Sequence, residues 1–192
     1  MNKILKYLFV VLSTVTIFSS CSDDEPQLNN ENTDDVQYED NRKILVAYFS
    51  ATGNTQRLAQ QIITLTGADA FRIEAAEPYA ANPYDDSDRI QNESYNDLRP
   101  EAATYPEDIN EYDVIFVGSP IWWHNPAMVV CTFLEHYDLK GKIVVPFFTY
   151  GATTYLQQSI DKIYEVTPES LHLPSYSGGN VEIWLRDINI LQ

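Results

Sequence analysis

The chain has 192 residues, 28 of them acidic and 12 basic, giving a formal net charge of −16 and a pI near 4.3. A nucleic-acid backbone is excluded as a partner, because binding phosphates in bulk needs a basic face that releases counterions. Hydrophobic residues make up 44%, enough for one packed core, and two cysteines, Cys21 and Cys131, cannot build a disulfide framework or a multi-cysteine zinc site.

Residues 1–20 read as an export signal. Lys3 and Lys6 form its positive start, and Tyr7 to Phe18 form an apolar run shorter than the roughly 20 residues a membrane span needs. The run ends in Phe18-Ser19-Ser20-Cys21, which resembles the lipobox of bacterial lipoproteins and marks Cys21 for acylation, although the box usually has leucine where Phe18 stands. Cleavage there removes two bases and no acid, taking the net charge from −16 to −18. Residues 21–41 form a polar stretch with eight acids and no base, the composition of a solvated tether. Asp23, Asp24 and Glu25 directly after the cysteine also resemble a sorting signal for the cell surface.

A globular part of residues 42–192 alternates strand-like and helix-like segments. Lys43 to Phe49 is an almost continuous apolar run, as in a strand buried on both faces. A helix with Leu58, Ile62 and Leu65 on one side follows and ends at Gly67. Ala70 to Ile73 reads as a second strand. The proline-bearing stretch 76–106 leaves room for one helix, over 88–98, and its first part is expected to be a lid, an added rim or an irregular excursion. Asp113 to Gly118 reads as a third strand stopping at Gly-Ser-Pro. Pro126 then suits the first turn of a helix whose face carries Ala127, Val130, Cys131, Leu134 and Tyr137. Lys142 to Phe148 is a fourth strand with an awkward Pro146, 153–166 a helix, Leu171 to Leu173 a short fifth strand, and 181–190 a last helix with Ile183, Trp184 and Ile188 inward. Such alternation implies an α/β fold of parallel βαβ units, in which ligands bind beyond the carboxyl ends of the strands.

Three loops lie there. Ser50-Ala51-Thr52-Gly53-Asn54-Thr55 joins a buried strand to a helix and offers backbone N–H groups and three hydroxyls, a cradle for a phosphate. It lacks the Gly-Lys-Ser/Thr of nucleotide hydrolases and the three glycines of a dinucleotide fold. Ser119-Pro120-Ile121-Trp122-Trp123-His124-Asn125 supplies rings for stacking, with at least one tryptophan expected to serve as packing. Thr149-Tyr150-Gly151-Ala152 adds an aromatic face and a close backbone approach. Together they describe a site for a mononucleotide with a large flat ring.

These segments resemble the flavodoxin family, through Ile44 to Thr55, Val117 to Trp123, and Thr132 to Glu135 followed by Leu139 to Lys142. The resemblance implies a three-layer, doubly wound parallel sheet of five strands in the order 2-1-3-4-5, with non-covalent FMN and one- or two-electron transfer. It implies that Ser50, Thr52, Gly53, Asn54 and Thr55, with Ala51 in the same loop, hold the phosphate. Pro120, Ile121, Trp122, Trp123, Thr149, Tyr150 and Gly151 then line the isoalloxazine, with Ser119 and His124 beside them. The third loop departs from the family by continuing Ala152-Thr153-Thr154-Tyr155 instead of with glycines and serines, so a lipoprotein that kept the fold and lost tight FMN binding is the competing reading.

No side chain is expected to act as acid, base or nucleophile. Ser119 lacks the flanking glycines of a hydrolase elbow, and His124, His136 and His172 lack metal-ligand spacing. The expected protein is a lipid-anchored FMN carrier or small reductase of the cell envelope. Its partner is a basic redox protein or a quinone-like molecule.

Overall fold

The computed structural model describes residues 41–151 and 153–192. The export signal, Cys21, the tether up to residue 40, and Ala152 lie outside the described residues.

Strands β1 (Ile44–Tyr48), β2 (Asp69–Arg72), β3 (Val114–Trp122), β5 (Ile143–Thr149) and β6 (Leu171–His172) pair in parallel in the order β2-β1-β3-β5-β6. A two-residue β4 (Asn125–Pro126) folds back antiparallel on the end of β3. Setting β4 aside, the parallel order is the expected 2-1-3-4-5.

Strand periodicity sends alternate residues of each apolar run to opposite faces, so each run feeds two cores. Leu45, Ala47, Ile115, Val117 and Val144 pack with Val129, Val130, Phe133 and Leu134 of α3 (Met128–Glu135) and Ile163 of α4 (Leu156–Val166). Val46, Tyr48, Val114, Phe116, Val145 and Phe147 pack with Leu58, Ala59 and Ile62 of α1 (Asn54–Thr66) and Val181, Trp184 and Leu185 of α5 (Val181–Asp187). The result is helix, sheet, helix. Phe116, Phe133 and Phe147 are fully buried, each worth roughly 2–3 kcal/mol relative to exposure. Gly118 sits at the tightest point, where a Cβ would stand 2.2 Å from the Phe147 ring.

Several expectations need correction. Leu65 and Ile183 are exposed, because the buried face of α1 ends at Ile62 and that of α5 runs through Val181, Trp184, Leu185 and Ile188. The helix expected over 88–98 is α2 (Ser87–Tyr95), which ends before Asp97 takes a left-handed φ of 50°. Pro126 does not open α3: it pairs with Ile121, and the helix starts two residues later with Ala127 as its N-cap. The third strand does not stop at Gly118. Pairing with β1 ends there, but β3 continues beside β5 to Pro120↔Thr149 and then turns back into β4. Pro146 is accommodated because β6 has ended at His172, leaving only the Tyr176 N–H to donate to the Pro146 carbonyl.

The segment after β2 forms a rim. Its ends meet where Ala76 N–H donates to Glu101 O and Ala103 N–H to Glu74 O, both at 2.8 Å. Inside it Tyr79 donates to the buried Glu93 at 2.6 Å, and Arg89 pairs with the same carboxylate at 2.8 Å while lying over the Tyr79 ring. Burial, reinforced by Glu93, pushes the Tyr79 phenol well above its ordinary pKa. Among the described residues no helix is long and apolar enough to cross a membrane.

Candidate functional site

A cleft of about 1020 Å³ opens beyond the carboxyl ends of β1, β3 and β5. Its first wall is the loop from β1 into α1. Gly53 is the N-cap of α1 with φ 83°, a left-handed conformation that side chains strain to adopt, and it has no side chain with which to cap the helix. The Gly53 N–H instead donates to Ser50 Oγ at 3.1 Å, folding the loop on itself. No acidic residue occupies the first turn of α1, so the positive end of its dipole is not neutralised from within the helix. Thr55 is buried, and its hydroxyl shares a 2.8 Å hydrogen bond with that of Thr149, tying the first loop to the third.

The second wall is the β3–β4 hairpin. Trp122 packs edge-on against Phe49 and Tyr79 at 5.2 and 5.1 Å, while also lining the cleft; it is the tryptophan that serves as packing. Trp123 is more exposed and stands edge-on to Tyr95. Trp123 and His124 have φ of 47° and 78° and form a two-residue turn between the paired Trp122 and Asn125. Two-residue hairpin turns with both φ positive normally carry Asn or Gly, so a Trp-His pair stores strain. Two serines hold it: Ser94 Oγ of α2 donates to Trp123 O at 2.6 Å, and Ser159 Oγ of α4 to His124 O at 3.2 Å.

Ala51, Thr52, Asn54, Pro120, Ile121, Tyr150 and Gly151 also reach the cleft. Gly53, Ser119 and His124 do not line it. Ser119 is fully buried, donating to Pro120 O and accepting from Ala127 N–H, and so braces the hairpin from behind. His124 stacks on Tyr155 at 3.7 Å. Cys131 lies in the core as expected, its thiol pushed up to about 12 by burial.

The structure adds residues that the loops alone do not announce. Asn82, Pro83, Tyr84 and Ser87 come from the rim, and Tyr176, Gly178 and Gly179 from the turn after β6. The Gly178-Gly179 pair, with φ of 111° and 93°, is a readable turn signal at a sheet edge. The rim residues carry none, since packing of Tyr79 against Trp122 is what brings them there.

Electrostatics single the cleft out. Among the described residues that line it none is Asp or Glu, and Arg57 is the one charged side chain, in a chain with 28 acids. An acid-free concavity with hydroxyls, an open helix end and flanking rings fits an anionic head joined to a planar ring. Among the described residues no cluster of three His, Cys, Asp or Glu side chains is placed to hold a metal.

The flavodoxin family model matches residues 43–176, from β1 to Tyr176, just short of the Gly178-Gly179 pair. The chain belongs to the flavodoxin family. Among solved structures, a candidate flavoprotein of Bacteroides eggerthii DSM 20697 is 35% identical, with a TM-score of 0.70 over 78% of this chain and 99% of that one. A candidate flavoprotein of Bacteroides uniformis ATCC 8492 is 30% identical, with a TM-score of 0.66 over 77% and 98%. A flavoprotein of Lactobacillus acidophilus NCFM, solved in complex with FMN, is 25% identical, with a TM-score of 0.63 over 70% of this chain and 91% of that one. No curated protein matches the chain.

Proposed function

We propose that this member of the flavodoxin family is an electron carrier or small flavin-dependent reductase of the cell envelope, tethered through a lipid on Cys21. Its cofactor is FMN, which supplies one- or two-electron chemistry when bound. The observation that carries the reading is the acid-free cleft at the open end of α1 in a strongly acidic chain.

Hydroxyls of Ser50, Thr52 and Thr55, the Asn54 amide and the N–H groups of the α1 first turn hold the phosphate. Gly53 gives that loop its shape. Trp122, Trp123 and Tyr150 supply ring faces, and Pro120, Ile121, Thr149 and Gly151 supply edges. Ser119 and His124 act through the hairpin, one as a brace and one by stacking on Tyr155. The acidic surround disfavours added negative charge on the flavin and lowers its potential. It also steers a basic redox protein, if the protein is a carrier, towards a small transient interface. A reductase instead admits a quinone-like molecule beside Trp123.

The full chain purified in detergent is expected to be yellow, or to gain flavin absorbance on adding FMN. A colourless protein whose tryptophan fluorescence and melting temperature are unmoved by FMN overturns the assignment and favours a fold that has lost its cofactor. Turnover with nicotinamide donors and quinones separates reductase from carrier.

A further inference from the structure

We infer that Arg57 is the specificity-determining residue of the cleft, the group that makes it prefer a phosphorylated flavin to the unphosphorylated one. The inference rests on the FMN reading above. Four other arginines each pair with a carboxylate: Arg72 with Glu74, Arg89 with Glu93, Arg99 with Glu135 and Arg186 with Glu182. Arg57, among the described residues, forms no ion pair, although acids outnumber bases 28 to 12 in the chain. An arginine kept clear of carboxylates in such a chain retains its full charge for something else.

Its placement says what. The Arg57 N–H donates to Gly53 O at 3.0 Å, closing the first turn of α1, and helical side chains lean back towards the N-terminus. The guanidinium accordingly donates to Asn54 Oδ1 and lies 3.9 Å from where a Cβ on Gly53 would stand. It therefore overhangs the loop whose hydroxyls and N–H groups face the cleft. Asn54 fixes one of its nitrogens, and the remaining N–H groups of a planar fork suit a phosphate oxygen. Neutral donors and a helix dipole attract an anion weakly against a field of surrounding acids. One unpaired guanidinium at the same point supplies a whole positive charge where the dipole supplies about half.

The experiment titrates the full chain and its Arg57→Gln and Arg57→Lys variants with FMN and with riboflavin, at low and high salt. We expect Arg57→Gln to weaken FMN about tenfold, to leave riboflavin affinity unchanged and to flatten the salt dependence of FMN binding, with Arg57→Lys in between. Equal FMN affinity in wild type and Arg57→Gln overturns the inference, as does an equal loss for both flavins with an unchanged salt slope, which marks a purely structural role. A wild type that binds neither flavin instead overturns the cofactor assignment.

Discussion

Thr55 in the first turn of α1 and Thr149 at the end of β5 join their hydroxyls at 2.8 Å across the floor of the cleft. Thr55 is 1% exposed, so its hydroxyl has been taken out of water and depends on that partner. Thr55→Val keeps the shape and removes the bond. It is expected to cost about 1–2 kcal/mol in urea unfolding and to weaken FMN, while Thr55→Ser restores both. A valine variant with unchanged stability and affinity would show the pair to be idle.

Trp123 and His124 hold left-handed backbone that asparagine accepts more readily. Trp123→Asn is expected to keep or raise the unfolding free energy, by up to about 1 kcal/mol, while weakening flavin binding severalfold. Strain retained for a ring at the mouth predicts this opposition. A variant that unfolds more easily yet binds normally would make Trp123 a packing residue.

The buried strands were legible because apolar runs of five or six residues, rich in β-branched and aromatic side chains, are too short for buried helices. The phosphate loop was legible too, as a hydroxyl-rich turn between such a run and a helix. The hairpin was not. Gly118-Ser119-Pro120 reads as a strand end, and only the early termination of β1 at Tyr48 leaves the edge on which a proline can be carried onward. A rim was one of three readings open for the segment after β2, but its share in the cleft was not legible, since Tyr84, 87% exposed on the short 3-10 helix Pro83–Asp86, owes its place there to tertiary contacts of Tyr79 and Glu93. Arg57, two positions beyond the Ser50–Thr55 loop, carries no signal in the sequence until its spatial neighbours are known to lack acids.

Stability should respond to pH through His172, which stacks on Tyr164 and bonds Thr167 Oγ1 at 2.9 Å. Burial holds its imidazole below the ordinary 6.5, with a hydrogen bond to the Thr167 backbone offsetting part of the shift. A lowered histidine stabilises fully above its unfolded pKa and loses that contribution as pH falls through the folded value. Urea unfolding of wild type and His172→Gln is therefore expected to show a gap that narrows between pH 7.5 and 5. Asp97, lowered chiefly by its hydrogen bond to Arg99, acts further down, below the usual carboxylate range. A gap that stays constant with pH would remove His172 from the titration.

The sealing of Cys131 in the core has a practical consequence for the other end of the chain. With its thiol inaccessible and pushed up to about 12, reagents that alkylate thiolates under native conditions pass it by. Any fast-reacting thiol in the intact protein then belongs to Cys21. Counting thiols before and after denaturation becomes a direct assay of acylation: one fast and one slow signal for an unmodified chain, and a single slow one for a chain carrying the lipid.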